Sequence, residues 1–290
     1  MHEATHNIDQ ASHLRTMALN CRPFDGTAQP HVWTVTSGKG GVGKSVIALN
    51  LAIVMSEQGR KVLLVDADEN LGKLDVLCNV SPFYRMSDIV TGKADIHGTL
   101  VTIAENVSLL AGNSGSIHAA EISHDDRQYL IERIIRSGNG ITDIIFDTGA
   151  GVSNAVLQYA TAADQAIIVS HHEPTAVMDA YATIKLICSY RPSAAPAAVI
   201  RLIMNSSISP TESDDAAEKL QTAVGHFLRT RVDYLGSIPT DEHVSRSVRE
   251  QKPLMVLFPN SAFGLSLRAI GLRLGQTRSV FHQLNEMVLA

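Results

Sequence analysis

Apolar residues along this chain fall in short unbroken runs, and helix-length segments separate the runs. The stretches 32–36, 62–65, 107–110, 144–146, 166–169 and 199–203 predict strands. Their apolar character is continuous rather than alternating, so both faces of each strand should be covered, as at the centre of a parallel sheet. Segments 45–58, 119–136, 153–163, 175–190 and 211–228 predict helices, the first closed by Gly59 beyond its last turn. This alternation predicts one α/β domain over residues 31–260, with a doubly wound, mostly parallel sheet flanked by helices. Ligands then belong at the carboxyl ends of the strands. Two appendages flank that domain. Residues 1–30 hold a short helical candidate at 8–19 and a Pro- and Gly-bearing linker, and residues 261–290 form a C-terminal helical region.

Chemistry-bearing residues gather where predicted strands end. After the first comes Ser37-Gly38-Lys39-Gly40-Gly41-Val42-Gly43-Lys44-Ser45, with the spacing G-x-x-x-x-G-K-S. Glycines at these places let backbone amides wrap a polyphosphate. Lys44 then reaches the β/γ-phosphates, and the Ser45 hydroxyl is placed to ligate Mg²⁺. The second strand ends in Asp66-Ala67-Asp68-Glu69-Asn70-Leu71-Gly72-Lys73-Leu74-Asp75. Two carboxylates this close at a strand terminus suit a site with a cation and water. The run Ile144-Ile145-Phe146-Asp147-Thr148-Gly149-Ala150-Gly151 again ends an apolar strand in an aspartate. Asn205 follows the strand that begins near Val199, and Gly236-Ser237-Ile238-Pro239-Thr240-Asp241 follows another.

Composition narrows the classes. A chain of 290 residues, 45% apolar and 18% charged, is an ordinary globular one. No apolar run approaches the ~20 residues that span a bilayer. Cys21, Cys78 and Cys188 are too far apart for a C-x-x-C pair, which fits a reducing cytoplasm and argues against an iron–sulfur carrier. A net charge of −5 argues against a broad nonspecific surface for DNA, so no direct DNA binding is expected. His171 and His172 have no third ligand nearby in sequence.

The pattern from Lys39 to Ser45, K-G-G-x-G-K-S, resembles the deviant Walker A loop of the MinD/ParA family of ATPases. That resemblance implies ATP and ADP as ligands, held through Gly38, Lys39, Gly40, Gly41, Val42, Gly43, Lys44, Ser45 and Val46. It implies a face-to-face homodimer in which Lys39 reaches the neighbour's nucleotide. Lys44, Lys39 and Asp68 take the catalytic roles, Asp68 by polarising the attacking water. Mg²⁺ falls to Ser45, Asp66 and Asp147, and the base to Asn205, Pro239 and Asp241. The family usually has a more apolar residue and a glycine where this chain has Glu69 and Asn70. Nothing resembles the guanine-selective N-K-x-D signature. A generic positioning or DNA-partition ATPase is the alternative reading.

The leader Asp9-Gln10-Ala11-Ser12-His13-Leu14-Arg15 resembles the N-terminal activator helix of the FlhG (FleN, YlxH) branch. The resemblance implies binding to an FlhF-like GTPase, with Gln10 entering its catalytic chamber and Asp9, Leu14 and Arg15 in the contact. It also implies contacts with the flagellar master transcription activator and switch-complex proteins. Val280, Phe281, Leu284, Met287 and Val288 share one helical face. Either that face packs on the core, or it lies on anionic lipid with Arg268, Arg273 and Arg278 beside it. The location is then cytoplasmic, with reversible association at the inner membrane face.

Overall fold

The computed structural model describes residues 29–69, 72–113, 122–138, 140–190 and 198–289, with side chains as far as residue 275. The leader residues Asp9, Gln10, Leu14 and Arg15 and the apolar face beginning at Val280 lie outside that description. The elements, in order, are β1 (His31–Ser37), α1 (Lys44–Glu57), β2 (Val62–Ala67), α2 (Leu74–Leu77), α3 (Met86–Val90), α4 (Ile96–Thr99), β3 (Leu100–Ala104) and β4 (Val107–Leu110). Then come α5 (His124–Ile135), β5 (Asp143–Ala150), α6 (Asn154–Ala162), β6 (Gln165–Ser170), α7 (Pro174–Ser189), β7 (Val199–Ser207), α8 (Pro210–Leu228), β8 (Val232–Pro239), α9 (Glu242–Arg249), α10 (Leu254–Leu257) and α11 (Ala262–Leu289).

The strands form one sheet in the order β3-β4-β2-β5-β1-β6-β7-β8. All neighbours are parallel except β3 and β4, which form an antiparallel hairpin at the edge. Asn106 turns that hairpin at φ 56. β3 escaped the reading of apolar runs, and it is only half covered. The other strands carry the two-faced burial that their continuous runs imply. Trp33 and Val35 of β1 enter the core layer beneath α1 and α11. Val32 enters the opposite layer, beneath α5 and α6, and a third cluster joins α6, α7 and α8 to β6 and β7.

Helix α1 is apolar nearly all round. Its residues from Ile47 to Met55 are all buried, because α11 covers the side that the sheet does not. Phe263, Leu267, Ile270 and Leu274 of α11 are core residues. At the crossing, a Cβ on Gly271 would lie 2.5 Å from Cγ1 of Val54, so glycine sets how closely the two helices approach. The first half of the C-terminal helix therefore packs on the domain. Two of the arginines that the lipid alternative would set beside the membrane are held by the protein itself. Arg268 forks onto Glu57 with two 2.9 Å bonds, and Arg273 donates to the Leu235 carbonyl. Among the described residues no helix is long and apolar enough to cross a membrane.

Several boundaries differ from the sequence reading; β5, for one, runs on past Asp147 to Ala150. Helix α5 starts at His124, several residues late, because Ser123 caps it by accepting from the Asp126 amide at 3.1 Å. β7 runs on through Asn205 to Ser207, and β8 through Gly236 to Pro239. Ser207 pairs with Pro239 across an irregular register, and Ser206 takes φ 52. Asn205 and Pro239 thus sit within strand ends rather than on free loops.

Candidate nucleotide site

β1 delivers its loop to the carboxyl edge between β5 and β6. That edge is where doubly wound sheets bind ligands. Gly43 is the N-cap of α1 at φ 86, and no side chain caps that turn. The first-turn amides then suit an anion, favoured also by the helix dipole. A Cβ on Gly43 would come within 2.3 Å of Nδ2 of Asn205, and one on Gly38 within 2.3 Å of the Asp179 carbonyl oxygen. The loop is thus pressed between α7 and the end of β7. Asn205 donates to the Val42 carbonyl at 2.7 Å, which braces the loop from below. Gly40 lies beside Ala150, whose Cβ would be 4.0 Å from a Cβ at 40. The Gly151 amide bonds the Ser37 carbonyl at 2.8 Å. Val46 packs partly against the α1 core layer.

The charges are concentrated below this loop. The buried ammonium of Lys44 lies 2.8 Å from Oδ1 of Asp147 and 3.4 Å from the Ser45 hydroxyl. Asp66 stands opposite Asp147 in the β2–β5 register. Burial, and next the Asp147 charge, push the Asp66 carboxyl up to about 7, against the pull of amides from Leu74 and Asp68. Those amides lie 3.0 and 3.4 Å from its oxygens. Asp68 turns toward the end of β5, with one carboxylate oxygen 3.4 Å from where a Cβ on Gly149 would be. Lys44, Ser45, Asp66, Asp68 and Asp147 are thus gathered at one strand edge.

Lys39 stands apart from that group. It is half exposed on the rim and 3.4 Å from Glu173 at the start of α7. A pair so exposed contributes less than about 1 kcal/mol and leaves the lysine available. Asp241 is engaged structurally as well. It caps α9 through the His243 amide at 2.9 Å, accepts from the His243 ring at 2.7 Å, and accepts from the Phe263 amide at 3.0 Å. Its burial alone would raise the pKa, but those hydrogen bonds outweigh it and hold the carboxyl below its ordinary value.

One cluster was not foreseen. Glu69 forks onto Arg127 of α5 with bonds of 2.5 and 2.7 Å. Arg127 also donates to Gln158 at 2.6 Å and to the Ile122 carbonyl at 2.7 Å. The hydrogen bond to Glu69 raises its already high pKa further. No local pattern links positions so far apart in the chain.

A glycine-shaped loop opening a helix, with a lysine–aspartate pair beneath it at the centre of a parallel sheet, defines a P-loop nucleotide-binding protein. The chain belongs to the CobQ/CobB/MinD/ParA nucleotide-binding domain family, whose model matches residues 33–254. It is similar to antiactivator FleN of Pseudomonas aeruginosa, with 31% identity over 84% of this chain and 86% of that protein. The flagellum site-determining protein YlxH of Helicobacter pylori is 32% identical over 90% of this chain and 88% of its own length. Among solved structures, septum site-determining MinD of Pyrococcus horikoshii OT3, complexed with Mg-ADP, shares the fold. It has a TM-score of 0.72 at 21% identity, over 87% of this chain and 98% of that one.

Proposed function

We propose that this protein is an ATP-dependent dimerising switch that regulates flagellar number or placement, hydrolyses ATP slowly, and stimulates an FlhF-type GTPase through its leader. The observation that carries the reading is the Lys44–Asp147 pair beneath the deviant loop, in a chain that matches FleN and YlxH over most of its length. Lys44 leaves Asp147 for the β/γ-phosphates when ATP enters. The α1 amides hold the phosphates, and Asn205, Pro239 and Asp241 bound the base side. Asp68 orients the attacking water beside Gly149. The partner subunit's Lys39 completes the charge neutralisation, which supplies most of the rate in phosphoryl transfer.

The residues fit Mg²⁺. Asp147, Asp66 and the Ser45 hydroxyl are hard oxygen donors, and the buried Asp66 carboxyl lies close enough to Asp147 to feel its charge while the ammonium pairs with Asp147. Among the described residues no group of three or more His, Cys, Asp or Glu is placed to hold a metal unaided. That suits an ion bound by one or two carboxylates together with phosphate and water. When bound, it would neutralise phosphate charge.

Hydrolysis separates the dimer and ends partner contacts, among them a flagellar transcription activator, switch-complex proteins and the anionic membrane surface. The leader, with Asp9, Gln10, Leu14 and Arg15, acts on the GTPase.

Two measurements test the reading. Lys39→Ala should abolish ATP-induced dimerisation in light scattering, and Asp68→Ala should dimerise but not turn over. A peptide of residues 1–22 should raise the GTPase rate of the FlhF-like protein, and a Gln10→Ala peptide should not. Wild-type dimerisation and hydrolysis in both variants would sink the switch. An inert wild-type peptide would sink the activator role and leave an ATPase with another cargo.

A further inference from the structure

We propose that Arg127 is a positioning residue for ATP hydrolysis: its two-bond grip on Glu69 fixes the adjoining Asp68 opposite Gly149. The inference rests on the reading of Asp68 as the residue that orients water.

Asp68 sits between two anchors. On its amino side its own amide lies 3.4 Å from Oδ1 of Asp66, at the end of β2. On its carboxyl side the next residue, Glu69, has both carboxylate oxygens bound by the Arg127 guanidinium. The fork is bidentate, the arrangement that restricts direction as well as distance. With both neighbours held, the Asp68 backbone has little freedom to carry its carboxylate away from Gly149.

The grip is referenced to the other side of the site. Arg127 donates to Gln158 of α6, and Gln158 donates back to the His124 carbonyl of α5 at 3.2 Å. The next residue, Tyr159, places its hydroxyl 3.5 Å from Glu69, and its carbonyl accepts from Thr34 of β1 at 2.9 Å. Helix α6 directly follows the segment containing Gly149 and Gly151. The Asp68 segment and the Gly149 end of β5 are therefore located against one helix, and that helix is tied to the strand that carries the phosphate loop.

Packing alone does not call for this cluster. Arg127 is only 7% exposed, and a buried ion pair is weak evidence for stability, since an apolar pair of similar volume often serves as well. What the ion pair adds is direction, and the residue it directs is next to Asp68.

The test uses the full chain with ATP and Mg²⁺. Phosphate release gives kcat, a fluorescent ATP analogue gives nucleotide affinity, and a thermal melt reports folding. Arg127→Lys and Glu69→Gln should each lower kcat about tenfold or more, as small misplacements of catalytic groups do. Nucleotide affinity should change less than about twofold, because neither side chain touches the phosphate loop. The apolar pair Glu69→Leu with Arg127→Met should melt like wild type yet turn over as slowly as the single variants, since the two residues act as one unit. On an Asp68→Ala background none of these changes should lower the residual rate further.

Wild-type kcat in Glu69→Gln and in the apolar pair would overturn the proposal while leaving Asp68 in its role. An equal loss on the Asp68→Ala background would overturn it too, by showing a general structural effect. Wild-type turnover in Asp68→Ala itself would overturn the underlying reading, and the proposal with it.

Discussion

At the amino edge of the sheet, Asp143 is fully buried, accepts from the Trp33 indole at 3.0 Å and pairs with Arg60 at 3.3 Å. Nearby, Arg201 donates to Gln165 at 2.9 Å and pairs with Asp233. Each of these buried ions has an opposite charge beside it. The carboxyl edge is built differently. There Asp66, Asp68 and Asp147 stand close together with one buried ammonium, and Asp66 keeps its proton up to about pH 7. The same fold thus neutralises buried charge at one edge and leaves an acidic surplus at the other. Uncompensated burial of this kind marks a place prepared for something cationic and a working site more than a stabilising one. Charge placement separates the two roles here, whereas hydrophobic burial is similar at both edges.

The largest effect should come from disturbing the amino edge. Asp143→Ala removes the acceptor of the Trp33 indole and a buried carboxylate partner of Arg60, and should lower unfolding free energy by about 3–5 kcal/mol. Nucleotide affinity of the folded fraction should not change. Denaturant titration beside nucleotide titration checks both, and an affinity loss would break the division between the edges.

Asp66→Asn should do the opposite. The folded protein holds the Asp66 proton to about 7, whereas an unfolded aspartate releases it near 4. Between those values the folded state binds more protons, so this residue's contribution to stability falls as pH rises. Without nucleotide, the asparagine variant should therefore gain on the order of 2–4 kcal/mol over wild type above pH 7. The gain should fade toward pH 4, and a pH-independent gap between the melts would refute the assignment.

Gly271→Ala touches neither edge. Its methyl would meet Val54 at 2.5 Å, and forcing α11 off α1 should cost about 1–3 kcal/mol with turnover unchanged. The smallest change is Asp241→Ala, a capping loss of about 1–2 kcal/mol at pH 7. Because the Asp241 pKa is depressed in the folded state, its stabilisation is present above the ordinary carboxylate range. It is lost as pH falls through the folded value, so wild type and variant should converge in acid.

Much of the sheet could be read in advance because a two-sided strand leaves a continuous apolar run in the sequence. Lys44, Ser45, Asp66 and Asp147 could be singled out for a related reason: each lies in the carboxyl part of a strand or in the turn and helix that follow it, and in a parallel sheet those parts meet. Contacts that depend on which strand lies beside which left no such trace. The Asn205 bond to Val42 and the Lys39–Glu173 pair join elements that become neighbours only because β6 lies beside β1, and β7 beside β6, in the finished order. Arg127 gave still less warning, since nothing around it in the sequence hints at Glu69. The half-covered strand β3 was missed because it lies at the sheet edge.

Asp241 has one more consequence. One of its oxygens starts α9, at the side of the domain expected to meet the base, and the other takes the amide that starts α11. The C-terminal helix is therefore not a detachable cassette. A graft that exchanged everything after Pro259 would have to supply a backbone amide at the same point in space, or the donor's helix would arrive with its first turn adrift. Across homologous proteins, the tail and the strand-end aspartate should be inherited, exchanged or lost together.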